Sequence, residues 1–270
     1  MQVVTTIKEL SNLKGRRALV TGATGELGKV IADTLAELGA DLILVDRNVL
    51  DLTSLSENLA NRWGIKVEYH VCDLERQAQR SELMANLNRG SQPLNILINN
   101  AAFVGTSDLQ GWGVPFEQQT VETWRRALEV NLTAIFDLCQ GLTPLLKVAE
   151  GANIINIASI YGVHGPDWSL YEGTSMSNPA AYSASKGGLI QFSRWMATTI
   201  APHVRVNVIS PGGIFRNQPE VFVKRYEART PLKRMAKEDD FRGTIAYLAS
   251  DLAQYVTGQN LAVDGGWGVW

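Results

Sequence analysis

Cysteine and histidine are scarce in this chain of 270 residues: Cys72 and Cys139 are the only cysteines, and His70, His164 and His203 the only histidines. Two cysteines, one after an apolar strand-like run and one inside a helical pattern, are too few for a disulfide framework or a structural zinc site, and both read as buried free thiols. The histidines stand far apart without metal-ligand spacing, so no metal is expected. Charge of one sign is missing as well. The 25 basic and 27 acidic residues leave a net charge of -2, which gives no footprint for nucleic acid or an anionic membrane. No apolar run reaches the roughly 18 residues of a membrane span, and the opening MQVVTTIKELSNLKGRRALV holds no uninterrupted apolar stretch of signal-peptide length, so a cytoplasmic protein is expected. Internal repeats, low-complexity tracts and Pro/Ser-rich linkers are absent too, which leaves residues 14–270 as one domain and 1–13 as an appendage.

What is present is an ordinary globular composition, with 45% hydrophobic and 19% charged residues. Short β-branched runs alternate with longer helical patterns: RALV (17–20), DLILV (41–45), KVEYHVC (66–72), NILIN (95–99), NIINIA (153–158), RVNVIS (205–210) and NLAV (260–263). Between them lie segments such as KVIADTLAELG, where Val30, Ile31, Thr34, Leu35 and Leu38 share one helical stripe and Gly39 offers a C-terminal cap. Strand-helix alternation predicts parallel strands joined by crossover helices, and nearly all-apolar strands predict cover on both sheet faces. The expected fold class is therefore α/β: a seven-stranded, doubly wound parallel sheet that binds ligands at the carboxyl ends of its strands. Two connections are long, from Phe103 to about Thr120 and from Gly162 to about Ala180, and long loops in compact domains are commonly functional.

After the first strand comes TGATGELGK, with Gly22, Gly25 and Gly28 leading into a helix. Glycine lets backbone approach a diphosphate closely, and a helix N-terminus presents free N–H groups with a partial positive charge. Asp46 ends the next strand, 18 residues beyond Gly28, where a carboxylate accepts hydrogen bonds from an adenosine ribose and repels a 2'-phosphate. NAD is expected over NADP, although the neighbouring Arg47 offers a guanidinium that pairs with phosphate. Further on, YSASK places Tyr182 and Lys186 four apart, on one helix face.

Taken together, TGATGELG and YSASK resemble the short-chain dehydrogenase/reductase family in its compact, single-domain Rossmann form. The similarity runs from about Gly15 onward and includes CDL (72–74), NNAA (99–102), VNLTAIF around Asn131, INIAS (155–159), PGGI (211–214) and TGQNLAVDGG (257–266). The resemblance implies a catalytic set of Asn131, Ser159, Tyr182 and Lys186. It also implies a dinucleotide site built from Gly22, Thr24, Gly25, Leu27, Gly28, Asp46, Arg47, Asp73, Leu74, Asn100, Ala101, Ala102, Tyr182, Lys186, Pro211, Gly212 and Ile214. Asp73 would meet the adenine and Asn99 would brace the central strand. The residue types suit hydride transfer between a carbinol carbon and nicotinamide. An unperturbed tyrosine, with pKa about 10, is a poor base at neutral pH, and the Lys186 ammonium would lower that value. Ser159 would hydrogen-bond the substrate oxygen, and Asn131 would hold a water in the proton path.

Three departures stand out. Glu26 occupies a place in the glycine turn usually given to glycine, and its side chain is expected to face solvent. Arg216 stands two positions past PGGI, where the family often has threonine. The gap from Ser159 to Tyr182 is 23 positions, against roughly a dozen in the family pattern. The extra stretch offers Asp167, Trp168, Tyr171, Glu172, Ser175 and Asn178, aromatic faces and hydrogen-bonding groups of the kind that hold a sugar. Its wording, YEGTSMSNPAAYSASK, loosely resembles dehydrogenases associated with bacterial surface-sugar and nonulosonic acid pathways. The expected activity is thus NAD-dependent oxidation or reduction at a secondary alcohol or ketone of a sugar-like small molecule. Redox-neutral nucleotide-sugar epimerases and dehydratases share the glycine turn and YxxxK, but they generally carry a further substrate region beyond the point where this sequence reads VDGGW. A catalytically silent cofactor-binding protein is the third reading, against which the intact Ser159, Tyr182 and Lys186 speak. The helix with Trp124, Leu128, Leu132, Ile135 and Leu138 has more apolar positions than one core stripe requires. The resemblance adds that such proteins are commonly homotetramers; a dimer fits the sequence equally.

Overall fold

All seven expected strands form in the computed structural model, which describes residues 5–104 and 109–270. They are β1 (Arg17–Thr21), β2 (Asp41–Asp46), β3 (Val67–Val71), β4 (Ile96–Asn99), β5 (Asn153–Ile157), β6 (Arg205–Pro211) and β7 (Asn260–Val263). They pair in the order β3-β2-β1-β4-β5-β6-β7, every pair parallel. The chain winds outward from β1 to β3 and then returns to place β4 on the other side of β1. That reversal opens a crevice between the carboxyl ends of β1 and β4, where doubly wound sheets bind ligands.

The helices are α1 (Ile7–Leu10), α2 (Glu26–Glu37), α3 (Val49–Trp63), α4 (Gln77–Gly90), α5 (Val121–Leu128), α6 (Ala134–Lys147), α7 (Ala180–Thr199), α8 (Glu220–Arg229) and α9 (Arg242–Ala249). One face of the sheet carries α2, α3 and α9 through Ile31, Leu52 and Ile245; the other carries α4, α6 and α7 through Leu83, Leu138 and Leu189. Burying a side chain of this size contributes about 1.5–3 kcal/mol. With apolar layers on both faces, β4 and β5 are buried along their whole length. The edge strand β3 differs from the expectation of cover on both faces: it ends the sheet, and Glu68, Tyr69 and Val71 are exposed.

Residues 5–12 lie on the surface, but Leu13, counted with them from sequence, is fully buried in the core beside α2. Its N–H donates to Leu38 O at the end of that helix. Of the long connection after Phe103, residues 105–108 lie outside the described residues. The connection after Ser159 folds into two short 3-10 turns, Ile160–Gly162 and Trp168–Leu170. It packs with α8 and Trp267 in a small apolar cluster that includes Leu170, Phe222 and Tyr226.

Candidate active site

The carboxyl ends of the strands enclose a cavity of about 680 Å³, a size within the range of small-molecule and cofactor sites. All seventeen residues expected to form the dinucleotide site line it. The glycine turn is shaped by two different demands. Gly22 has φ +63, and a Cβ there would lie 2.8 Å from Ala101 Cα, so the turn closes against the loop after β4; a Cβ on Gly28 would lie 2.0 Å from Gly22 O. Gly25 is different. A Cβ there would meet only Gly22 O, at 3.4 Å, so the protein itself leaves that space open on the cavity wall. Gly25 is also the N-cap of α2, and no side chain caps the helix, which leaves its first N–H groups directed toward the cavity. A diphosphate fits this cradle. Glu26 faces solvent as expected, paired with Lys29 at 2.8 Å.

Asp46 sits at the end of β2 with both carboxylate oxygens engaged. Oδ2 accepts from Thr24 N at 2.9 Å and from Thr24 Oγ1 at 2.7 Å, and Oδ1 accepts from Arg47 N at 2.7 Å. Its negative charge is thereby fixed at the cavity edge. Asn100 Nδ2 donates to Thr21 O and Gly22 O, both at 3.0 Å, which ties the loop after β4 to the glycine turn. Behind it, Asn99 Nδ2 donates to Asn156 Oδ1 at 2.8 Å, and Asn156 Nδ2 donates to Ser193 Oγ at 2.8 Å, a buried ladder across β4, β5 and α7.

Ser159, Tyr182 and Lys186 converge at the inner end of the cavity. Ser159 follows β5; Tyr182 and Lys186 come from α7, one turn apart. The Lys186 side chain is 1% exposed, its Nζ donates to Ile157 O at 2.8 Å, and it lies 5.8 Å from the centre of the Tyr182 ring. Asn131 stands behind them. It is fully buried in a π-turn, Glu129–Thr133, between α5 and α6, and does not line the cavity. Its Oδ1 accepts from Phe103 N at 2.6 Å, while Nδ2 donates to Phe103 O at 3.2 Å and to Ser185 Oγ at 3.1 Å.

The family model described as enoyl-(acyl carrier protein) reductase matches residues 22–268. Nodulation protein G of Rhizobium sp. (strain N33) is 36% identical over 262 residues, spanning 94% of this chain and 97% of its own. The chain belongs to the short-chain dehydrogenase/reductase family. As a family member it is an oxidoreductase of the dehydrogenase/reductase kind, acting on CH–OH or carbonyl groups. Among solved structures, a gluconate 5-dehydrogenase from Burkholderia cenocepacia J2315 in complex with NADP and tartrate superposes with a TM-score of 0.86 at 26% identity, covering 98% of this chain and 100% of that one. An NAD+-bound xylitol dehydrogenase superposes with a TM-score of 0.82 at 27% identity, covering 94% and 99%.

The electrostatics of this dehydrogenase/reductase differ from the expectation at one point. Burial pushes the Tyr182 phenol up from its ordinary value, while the nearby Ser159 hydroxyl and the Arg216 charge act the other way. Lys186 does not outweigh that burial. Its own ammonium is pushed down to about 8 by burial, and its nearest partner is the Ile157 carbonyl rather than the phenolic oxygen.

The 162–180 segment also behaves differently from the expectation. None of its residues lines the cavity. Asp167 is ion-paired with Arg229, Asn178 Oδ1 accepts from Ser183 Oγ at 3.1 Å, and the Tyr161 and Tyr171 hydroxyls lie 2.6 Å apart. Trp168, Glu172 and Ser175 are exposed. Asp167, Asn178 and Tyr171 are thus engaged with α8, with α7 and with the turn after Ser159. The cavity wall beside Tyr182 comes instead from Phe103, Val104 and Leu109, which sequence reasoning passed over. Their position directly after NNAA was the available signal. Arg126 was also missed; it pairs with Glu75 at 2.6 and 3.0 Å and lies over the Phe103 ring. Among the described residues, no three His, Cys, Asp or Glu side chains are grouped to hold a metal ion, and no helix is long and apolar enough to cross a membrane. Both cysteines are buried free thiols.

Proposed function

We propose that the chain is an NAD-dependent dehydrogenase that moves a hydride between nicotinamide and a secondary alcohol or ketone of a sugar or sugar derivative. The observation that carries this reading is the convergence of Ser159, Tyr182 and Lys186 on one end of a cavity whose other end is the open glycine cradle. A bound nicotinamide supplies the hydride donor or acceptor; the chain supplies position, charge and protons.

Tyr182 is the acid/base. With its pKa held up, it stands protonated at neutral pH and is ready to donate to a carbonyl oxygen as that oxygen gains charge. In the oxidising direction it must take the hydroxyl proton, and Lys186, still charged below about pH 8, favours the phenolate at that moment. Ser159 holds the substrate oxygen. Asn131, which we assign to the proton relay, holds the Phe103 backbone through Oδ1 and Nδ2 and sits in the π-turn. Lys186 spends one of three donors on Ile157 O, which leaves two for nicotinamide ribose hydroxyls.

Support for NAD comes from Asp46, whose fixed charge opposes a 2'-phosphate at the ribose end. Exposed Arg47 favours the phosphate, and the solved neighbours include both an NADP and an NAD+ complex. Support for a polyol or sugar acid comes from the gluconate and xylitol dehydrogenases. A second reading has its own observation: the wall of Phe103, Val104 and Leu109 is apolar, as an acyl chain would require. An assembly of identical chains, tetramer or dimer, fits Phe136 and Trp195, large side chains left exposed on α6 and α7, and is read from light scattering. A cytoplasmic setting is part of the same proposal.

The test is a spectrophotometric panel at 340 nm: polyols and sugar acids against short β-ketoacyl thioesters, each with NAD(H) and NADP(H). Turnover of a polyol or sugar acid with NAD is expected. Turnover confined to acyl thioesters with NADPH overturns both the substrate and the cofactor assignment. Net accumulation of reduced cofactor also separates a dehydrogenase from a redox-neutral epimerase.

A further inference from the structure

Two of this chain's departures from the family pattern, Glu26 and Arg216, line the same cavity. Glu26 puts a carboxylate in the first turn of α2, beside the N–H groups that would hold an anion. Lys29 offsets part of that charge at 2.8 Å. Arg216 follows β6, on the other wall. Its backbone N–H donates to Gln218 Oε1 at 2.7 Å, and Gln218 Nε2 donates to Ile214 O at 2.8 Å, so the turn that carries it is fastened. Its guanidinium pairs with Glu238 through Nε at 3.1 Å. Among the described residues the two Nη groups have no protein acceptor, and the side chain is half exposed toward the cavity.

We propose that Arg216 is the cationic contact for the diphosphate of the bound dinucleotide, restoring the attraction that Glu26 takes from the glycine cradle. The inference rests on the dinucleotide reading of the cavity. A guanidinium matches a diphosphate in shape and charge, offering two parallel N–H groups to neighbouring oxygens, and its remaining Nη groups are the ones that would do so. The side chain shares the cavity lining with Glu26 and Tyr182, and its charge lowers both. The side chain that replaces the family's threonine is thus a charge-compensating partner of the residue that replaces its glycine.

The experiment measures binding of NAD, NADP and adenosine by titration calorimetry to the full chain and to Arg216→Met, Arg216→Lys and Glu26→Gln, with thermal melts to confirm folding. Arg216→Met is expected to raise Kd for NAD and NADP by the same factor, about tenfold for the loss of one charged hydrogen-bonding group. Arg216→Lys should recover part of that loss, Glu26→Gln should tighten both dinucleotides, and adenosine, which has no phosphate, should bind all four proteins alike. Equal weakening of adenosine would mean that Arg216 only shapes the pocket, and loss confined to NADP would place it at the 2'-phosphate; either overturns the proposal, as does an unchanged Kd. Failure of the wild type to bind either dinucleotide removes the cofactor reading itself and the proposal with it.

Discussion

Removing the buried ammonium of Lys186 should change how stability depends on pH. Burial lowers this lysine from 10.5 to about 8 in the native chain, whereas in the unfolded chain it titrates near its ordinary value. Between about pH 8 and 10.5 the unfolded state therefore holds a proton that the native state has released, and stability rises with pH across that window. Below about pH 8 both states are charged and the full cost of the buried charge is present. At about 1.4 kcal/mol per pH unit, the fall from 10.5 to about 8 amounts to about 3 kcal/mol. Lys186→Met keeps the side chain's length and removes the titration together with the hydrogen bond to Ile157 O. Urea unfolding of the two cofactor-free proteins, at equal protomer concentration, gives the difference directly. Wild type minus Lys186→Met should climb from pH 7 to pH 10, approaching about 3 kcal/mol. The series stops at pH 10 because the raised Tyr182 acts with opposite sign above its ordinary value: there the native phenol keeps a proton that the unfolded one loses. A flat or falling difference would refute the assignment of Lys186 as a desolvated lysine.

Gly25→Ala and Gly28→Ala should separate cofactor cradle from fold. The first should melt like wild type and weaken dinucleotide binding at least about tenfold by calorimetry; the second, with its Cβ 2.0 Å from Gly22 O, should lower stability by about 1–3 kcal/mol or more in a thermal melt. Asn156→Ala would leave the Asn99 amide and the Ser193 hydroxyl without their buried partner, at a cost of about 1–3 kcal/mol in chemical denaturation. Asp46→Ser should tighten NADP relative to NAD by about tenfold or more in competition titrations, and an unchanged ratio would mean that the carboxylate does not select the cofactor.

The fold was readable because each strand is a run of β-branched and aliphatic residues that needs cover from helices, and RALV, NILIN and NIINIA admit few other uses. The glycine turn was readable for a related reason: Gly22 is demanded by its positive φ and the close approach of Ala101, and Gly28 by Gly22 O within the turn, so their spacing follows from the backbone path. The edge strand β3 was read as more covered than it is, although VEYHV places Glu68 and His70 among its apolar residues; the sheet order shows that it lies outermost. The 162–180 segment shows a stricter limit. Asp167, Tyr171 and Asn178 are suited to a sugar, yet their partners are Arg229, Tyr161 and Ser183, which lie far along the chain or in no periodic relation to them. Composition indicated the groups' chemistry but not their direction. For the same reason the connection from Phe103 was marked as a functional loop without Phe103, Val104 and Leu109 being named in it, since the role of each depends on where Tyr182 packs. The pKa of Tyr182 likewise depended on burial, which outweighs the lysine one helical turn away.

The central claim is that Tyr182 exchanges the proton while the rest of the cavity binds. Tyr182→Phe keeps the ring that packs with Phe103 and Leu109 and removes only the hydroxyl. Once a substrate is in hand from the 340 nm panel, kcat/KM and dinucleotide Kd of the two proteins decide the matter. The account predicts a fall in kcat/KM of about 100- to 10,000-fold with Kd unchanged. Retention of more than about a tenth of wild-type kcat/KM would contradict it, because the proton would then be moving by another route.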